Sequence, residues 1–143
     1  RGWMGPGLTQ TEKTPDLLGE AGFEYTADWI LDDQPCKINT ETGTLYSVPY
    51  TTELNDIPIM LSQSHVSSVL YDRTMDYVDA IYEEGKDNVR VMSVAVHPYI
   101  HGVPHRIKYF RKIFEELSKR PGVVFMTGAQ ILDWYLQQRD EKL

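Results

Sequence analysis

Val89-Arg90-Val91-Met92-Ser93-Val94-Ala95-Val96 runs into His97-Pro98, and the reading of this stretch decides the fold. The run is rich in β-branched residues, which favours a strand, and proline's missing donor and fixed φ end regular pairing. His97 is thereby delivered to the rim of a sheet, where an imidazole with near-neutral unperturbed pKa can take and give a proton. A partly buried histidine bonded to a backbone carbonyl is the plainer expectation for the same residue.

Outward from this run, the chain alternates helices and strands. Thr14-Pro15-Asp16 reads as cap, first-turn proline and dipole-matched acid of a short helix stopped at Gly22. Phe23 to Trp29 reads as a strand leading into the acidic, turn-prone stretch Asp28 to Pro35. Thr42-Gly43 predicts a turn before a strand from Leu45 to Tyr50, with Pro49 at an edge or terminus. Apolar residues at Val66, Leu70, Tyr77, Val78 and Ile81 mark one face of a long helix stopped at Gly85. Ile107, Phe110, Ile113, Phe114 and Leu117 mark another, ended by Pro121-Gly122. Val123 to Met126 predicts a brief buried strand, and Thr127 caps a last helix carrying Ile131, Leu132, Tyr135 and Leu136 before the charged tail Arg139 to Lys142.

This order predicts an α/β fold with parallel strands and functional loops at their carboxyl ends. Four strands suit a small open sheet, or part of a barrel that more strands would close. The chain has 143 residues, enough for one domain with a core, and its 41% apolar content is that of a globular protein. A net charge of -7 without a basic cluster argues against nucleic acid or anionic membrane as partner. No apolar stretch approaches a membrane span, and no signal-peptide pattern opens the chain. The single Cys36 excludes an internal disulfide and fits a reducing compartment, so a cytoplasmic location is expected. Because the chain begins at Arg1 rather than Met, its start is not taken as natural.

His97, His101 and His105 recur every four residues, a spacing that would align three metal ligands on a helix. Pro98, Gly102 and Pro104 argue against that helix, which makes the spacing accidental. His65 reads as a capping or surface residue. Asp28, Asp32 and Asp33 crowd one strand end, where carboxylates orient a histidine, bind a cation or are simply solvated. Trp29 beside them is either a pocket wall or a core residue. Arg1-Gly2-Trp3-Met4-Gly5-Pro6-Gly7 suits a tight loop approaching a ligand, or else a disordered terminus. No phosphate loop, Gly-x-Ser-x-Gly elbow or Cys-His pair is present.

Arg1-Gly2-Trp3-Met4-Gly5-Pro6, Ala27-Asp28-Trp29 with Asp32-Asp33-Gln34-Pro35, Val48-Pro49-Tyr50 with Glu53-Leu54-Asn55-Asp56, and Val96-His97-Pro98 with Pro104-His105-Arg106-Ile107 together resemble one family. The chain is similar to the polysaccharide deacetylases (carbohydrate esterase 4-like), and within them to the allantoinase-related branch. The resemblance implies a partial (β/α) barrel of the glycoside hydrolase/deacetylase type, residues 1–143 forming one domain that matches roughly the carboxyl-terminal half. It implies hydrolysis of non-peptide C–N bonds in N-acyl amides, on a small-molecule or N-acetylated sugar substrate. It also implies a zinc or other divalent ion whose ligands lie upstream in the family, so that no metal is expected to be bound by this chain alone. By the same resemblance His97 matches the histidine that protonates the departing amine, and Asp28 the aspartate that tunes it. Arg1 matches the arginine that orients the aspartate base, while Trp29 matches the wall of the acyl pocket and Trp3 and Pro98 join it as candidate substrate contacts. A half-barrel would expose apolar edges, so a homo-oligomer or a missing amino-terminal half is expected, with a non-catalytic, self-associating remnant as the alternative.

Overall fold

The computed structural model describes residues 1–140, so that of the charged tail Glu141 and Lys142 lie outside the described residues. These residues gather into two compact units, one formed by residues 1–50 with those from 125 onward, the other by Thr51–Val124.

The first unit carries a four-stranded sheet: β1 (Gly2–Trp3), β2 (Tyr25–Thr26), β3 (Cys36–Thr40) and β4 (Gly43–Ser47), in spatial order β1-β2-β4-β3. β1 pairs parallel to β2 and β2 parallel to β4, while β3 runs antiparallel to β4 with Ile38 opposite Leu45 and Thr40 opposite Gly43. The antiparallel β3 corrects the expectation of parallel strands alone. It is joined to β4 across Glu41-Thr42, the two-residue connection that a hairpin favours. Cys36-Lys37-Ile38-Asn39-Thr40 does alternate in burial, but with polar residues on both faces the alternation carries little apolar contrast.

Helix α1 (Thr14–Glu20) ends at Gly22, whose φ of +80° is the left-handed conformation that glycine adopts without a Cβ clash. It buries Leu18, and Asp16 Oδ1 accepts a 2.9 Å bond from the Glu41 amide at the hairpin turn. Helix α4 (Gly128–Asp140) starts with a reciprocal cap. The Thr127 Oγ1 accepts from the Gln130 amide at 3.3 Å, and Gln130 Oε1 accepts from the Thr127 amide at 2.8 Å. Tyr135 on α4 meets Tyr46 of β4 edge to face, with ring centroids 6.2 Å apart.

The second unit packs α2 (Val69–Glu84) against α3 (Ile107–Leu117). Leu70, Val78, Ile113 and Leu117 join Ile59 in one buried cluster, with Met75, Met92, Val94 and Val96 packed on it. Each buried aliphatic side chain of this kind contributes roughly 1.5–3 kcal/mol. Thr74 lies on the buried face of α2, where its hydroxyl is satisfied by donating to the Leu70 carbonyl at 2.6 Å. Val66, assigned by periodicity to the same face, precedes the helix and is exposed.

The strand expected over Val89 to Val96 is reduced to a single parallel bridge, Ala95 to Asn55. The reason lies in side chains that replace the ladder. Thr51 and Ser93 exchange bonds, the Thr51 amide donating to Ser93 Oγ at 2.9 Å and the Ser93 amide to Thr51 Oγ1 at 3.1 Å. Two residues on, the Ala95 amide donates to the Leu54 carbonyl at 2.9 Å and the Asp56 amide to the Ala95 carbonyl at 3.1 Å. The His97 amide then donates to the Asp56 carboxylate rather than to backbone. From Ser93 to His97 the chain is tied to residues 51–56, but three of these five bonds use a side-chain oxygen in place of a backbone one.

The brief buried strand expected at Val123 to Met126 is also corrected. No strand is formed there among the described residues, and Val124 is 72% exposed. A short apolar run becomes a strand only beside another strand that accepts its backbone bonds. Among the described residues no helix is long and apolar enough to cross a membrane.

Candidate active site

The chain turns sharply after His97. The amides of Ile100 and His101 both donate to the His97 carbonyl, at 2.9 and 3.0 Å, so residues 97–101 make one helical turn. Pro98 is tolerated because the first turn asks for no amide bond at its position. Gly102 ends the turn in space too small for a side chain, since a Cβ there would lie 2.4 Å from the Pro98 carbonyl oxygen. One turn places residues four apart on the same side. His97 and His101 thus face the same acceptor, the carboxylate of Asp56, and His105 is exposed outside the cluster.

Asp56 has no solvent exposure, and both of its oxygens are engaged. Oδ1 lies 2.7 Å from His97 Nδ1, while Oδ2 accepts from the His97 amide at 2.8 Å and lies 3.2 Å from His101 Nδ1. The Asn55 side chain holds the corner by accepting from the Ile57 amide at 2.9 Å, an Asx turn. With Nδ1–H given to the carboxylate, His97 keeps Nε2 for exchange with a reacting group. Its side chain is 36% exposed, enough for a substrate to reach it. Tyr99 stands edge-on to the ring with centroids 5.8 Å apart. The expected backbone carbonyl partner of His97 is therefore replaced by a buried carboxylate.

Sequence reasoning missed Asp56 as that partner. The residue stood among the quoted motifs, but the signal that it faces His97 is the pairing of residues 51–56 with 93–97, which no local pattern contains. The dismissed four-residue spacing of His97 and His101 was the other available sign, since a single turn needs no continuing helix.

The remaining candidates except Pro98 lie in the first unit. Asp28 is buried at the end of β2, where Oδ1 accepts from the Gly5 amide at 2.6 Å and the buried Oδ2 has no hydrogen-bond partner. Trp29 is half-exposed and its carbonyl accepts from Ser47 Oγ at 2.9 Å, so the indole is not a core residue. Trp3 stacks edge to face on Phe23 at 5.7 Å, and Pro98 of the second unit is exposed.

Arg1 is ordered rather than frayed. Its Nε and Nη2 grip Glu24 at 2.9 and 2.7 Å, and its Nη1 and Nη2 grip Asp133 at 2.9 and 2.5 Å. The guanidinium hydrogen bonds hold both the Glu24 and Asp133 carboxyls below the usual carboxylate range, while Asp133 and Glu24 push the Arg1 pKa up.

Among the described residues, no group of three or more His, Cys, Asp or Glu side chains is placed to hold a metal ion. The nearest to one, Asp56 with His97 and His101, does not fit the part. Both Nδ1 atoms face the carboxylate, and His101 Nε2 faces the Ser67 carbonyl at 3.1 Å, which leaves only His97 Nε2 to coordinate anything.

A partly exposed histidine held at one ring nitrogen by a buried carboxylate is an arrangement suited to general acid–base chemistry. The relatives narrow the class. A Schizosaccharomyces pombe protein named as a polysaccharide deacetylase is 31% identical over 114 residues, covering 76% of this chain and 36% of that protein. Among solved structures, Puue allantoinase superposes with a TM-score of 0.78 at 25% identity, over 85% of this chain and 42% of that one. A Mycobacterium smegmatis structure named as a polysaccharide deacetylase gives a TM-score of 0.82 at 21% identity, over 96% of this chain and 50% of that one. No protein-family model matches. The chain belongs to the polysaccharide deacetylase family, and its fold is that of part of the deacetylase type. It spans about a third of the length of the curated relative and up to half that of the solved ones.

Proposed function

We propose that this chain supplies the proton-transfer histidine of a hydrolase that cleaves non-peptide C–N bonds in N-acyl amides, with His97 as general acid. The observation that carries this reading is the buried Asp56 carboxylate 2.7 Å from His97 Nδ1, which leaves Nε2 as the exchanging atom on a partly exposed ring. In the step assigned to it, the oxygen of water bonds to the acyl carbon, the C–N bond breaks, and the departing nitrogen takes the Nε2 proton. The proton lost by water restores His97. As the ring gains charge at Nε2, the Asp56 oxygen that accepts the Nδ1 hydrogen stabilises it.

In the resemblance, activation of that water would be supplied by a divalent metal whose ligands lie upstream in the family, and no described residue of this chain is assigned to it. Asp28 and Arg1 are proposed, as in the resemblance, as further catalytic groups. The unpaired Asp28 Oδ2 supports a substrate-facing role for that residue. Half-exposed Trp29 and Trp3, with exposed Pro98, are proposed as substrate contacts. The names of the relatives support N-acetylated sugars or allantoin as the substrates to try. A self-associating, non-catalytic protein is the second reading, favoured by the exposed apolar residues Val124 and Phe125.

The test is a zinc-supplemented assay of the chain, alone and mixed with the upstream half of a solved relative, on acetylated sugars and on allantoin. Release of acetate or of the ring-opened acid, lost in His97→Ala, is the expected result. Turnover that His97→Ala leaves unchanged, or none in either arrangement, overturns the catalytic reading.

A further inference from the structure

His101 is the buried group that this chemistry leaves unused. It has no solvent exposure, and each of its ring nitrogens faces an acceptor: Nδ1 lies 3.2 Å from Asp56 Oδ2 and Nε2 lies 3.1 Å from the Ser67 carbonyl, just ahead of α2. A neutral imidazole carries hydrogen on one nitrogen alone and is an acceptor at the other. Facing two acceptors, it would leave one contact as lone pair against lone pair, inside the protein, beside an unneutralised carboxylate. Both contacts are satisfied when a further proton lies on the line between Nδ1 and Oδ2, whichever atom holds it. The Asp56–His101 pair is then neutral overall, which is the form that burial favours.

We propose that His101 is a positioning residue for His97, acting through Asp56, a role that rests on the reading of His97 as the proton-transfer group. With His101 in place, Oδ2 is occupied and Oδ1 remains purely an acceptor, so His97 must present its hydrogen at Nδ1 and its lone pair at Nε2. Without it, nothing keeps a shared proton on the Oδ2 side, and one carried by the carboxyl group can lie at Oδ1 and be donated to His97 Nδ1. The ring hydrogen then moves to Nε2, which has no lone pair left to take up the proton that water loses. Ser67 completes the device by anchoring the far side of the His101 ring to the start of α2.

Long-range nitrogen–proton NMR of the histidine rings in the full chain reads this directly, without any turnover. In His101→Phe the ratio of Nδ1–H to Nε2–H forms of neutral His97 is expected to fall about tenfold or more, the equivalent of one hydrogen bond to a charged group. His101→Asn, whose amide nitrogen falls near the place of Nδ1, is expected to restore most of that ratio. An unchanged ratio in a His101→Phe chain with native amide dispersion overturns the proposal, and so does an Asn variant that behaves as Phe does. Should the Phe variant not fold, the Asn variant and the unmodified chain still decide. A slowly exchanging, far-downfield proton between His101 and Asp56 supports the role, and a bare, freely exchanging Nδ1 defeats it. Loss of the His97 ratio with no effect of His97→Ala on turnover would sink the catalytic reading alone, while the reverse pattern would sink only the positioning role.

Discussion

Two acid–base clusters in this chain use similar atoms at similar distances and differ in their surroundings. In the first unit, Arg1 grips Glu24 and Asp133 with five hydrogen-bonding contacts, all on side chains between two-fifths and one-half exposed. In the second, Asp56 is gripped by two imidazoles and an amide with no exposure of its own. The ideal bidentate geometry is at Arg1, yet water and salt compete for every one of its bonds. Around Asp56 no water competes, so each contact is strengthened and each loss leaves a buried group without a partner. Geometry alone thus ranks the two clusters in the wrong order, and burial decides which one specifies structure.

The strongest way to break this comparison is Asp56→Ala, which strips His97 and His101 of their common acceptor. A loss of about 3–5 kcal/mol is expected from breaking a buried pair, read as a lower urea midpoint. A loss no larger than that of an exposed substitution would place the two clusters in the same class. Next comes Thr51→Val, which removes the acceptor of the Ser93 amide where a side chain stands in for the ladder. It is expected to cost about 1–3 kcal/mol, with faster hydrogen exchange at Ser93 and Ala95 as the local sign. Thr127→Ala removes the cap of α4 and should cost about 1 kcal/mol, a reference point for a helix end.

The smallest effect is expected from Asp133→Asn, and it should shrink further as salt is added, which Asp56→Ala should not show. Its pH dependence has a definite sign. Glu24 and Asp133 are held below the usual carboxylate range by Arg1, so they bind fewer protons folded than unfolded. Their contribution is present above the ordinary carboxylate range and is lost as pH falls through it to the lowered folded values. Acid titration of the unmodified chain and of Arg1→Met should therefore converge at low pH and separate as pH rises. Curves that stay parallel throughout would remove any role for the Arg1 cluster in stability.

Much of the helical architecture was legible. Ile113 and Leu117 lie on the face of α3 that a 3.6-residue period marks, and α4 carries its cap within the four residues Thr127 to Gln130. The signals are local because an α-helix closes its bonds within one turn. The strands were less so: β3 hides in a polar alternation, and the Val89 to Val96 run draws on Thr51, Leu54 and Asp56 some forty residues away. At the candidate site, His97 could be picked out from its place after a β-branched run and before a proline. Its partner could not, because any of Asp28, Asp32, Asp33 or Asp56 offers the same carboxylate to a reader of composition.

The amino-acid sequence by itself determined which segments coil into α1 to α4, and that an imidazole would follow a β-branched run at position 97. It carried these because each depends on bonds and contacts within a few residues. Only the tertiary structure decided that Asp56 would be buried against His97, that His101 would share it, and that Arg1 would be held by Glu24 and Asp133. Those choices depend on which distant backbone segments lie side by side, and on how completely water is removed when they do.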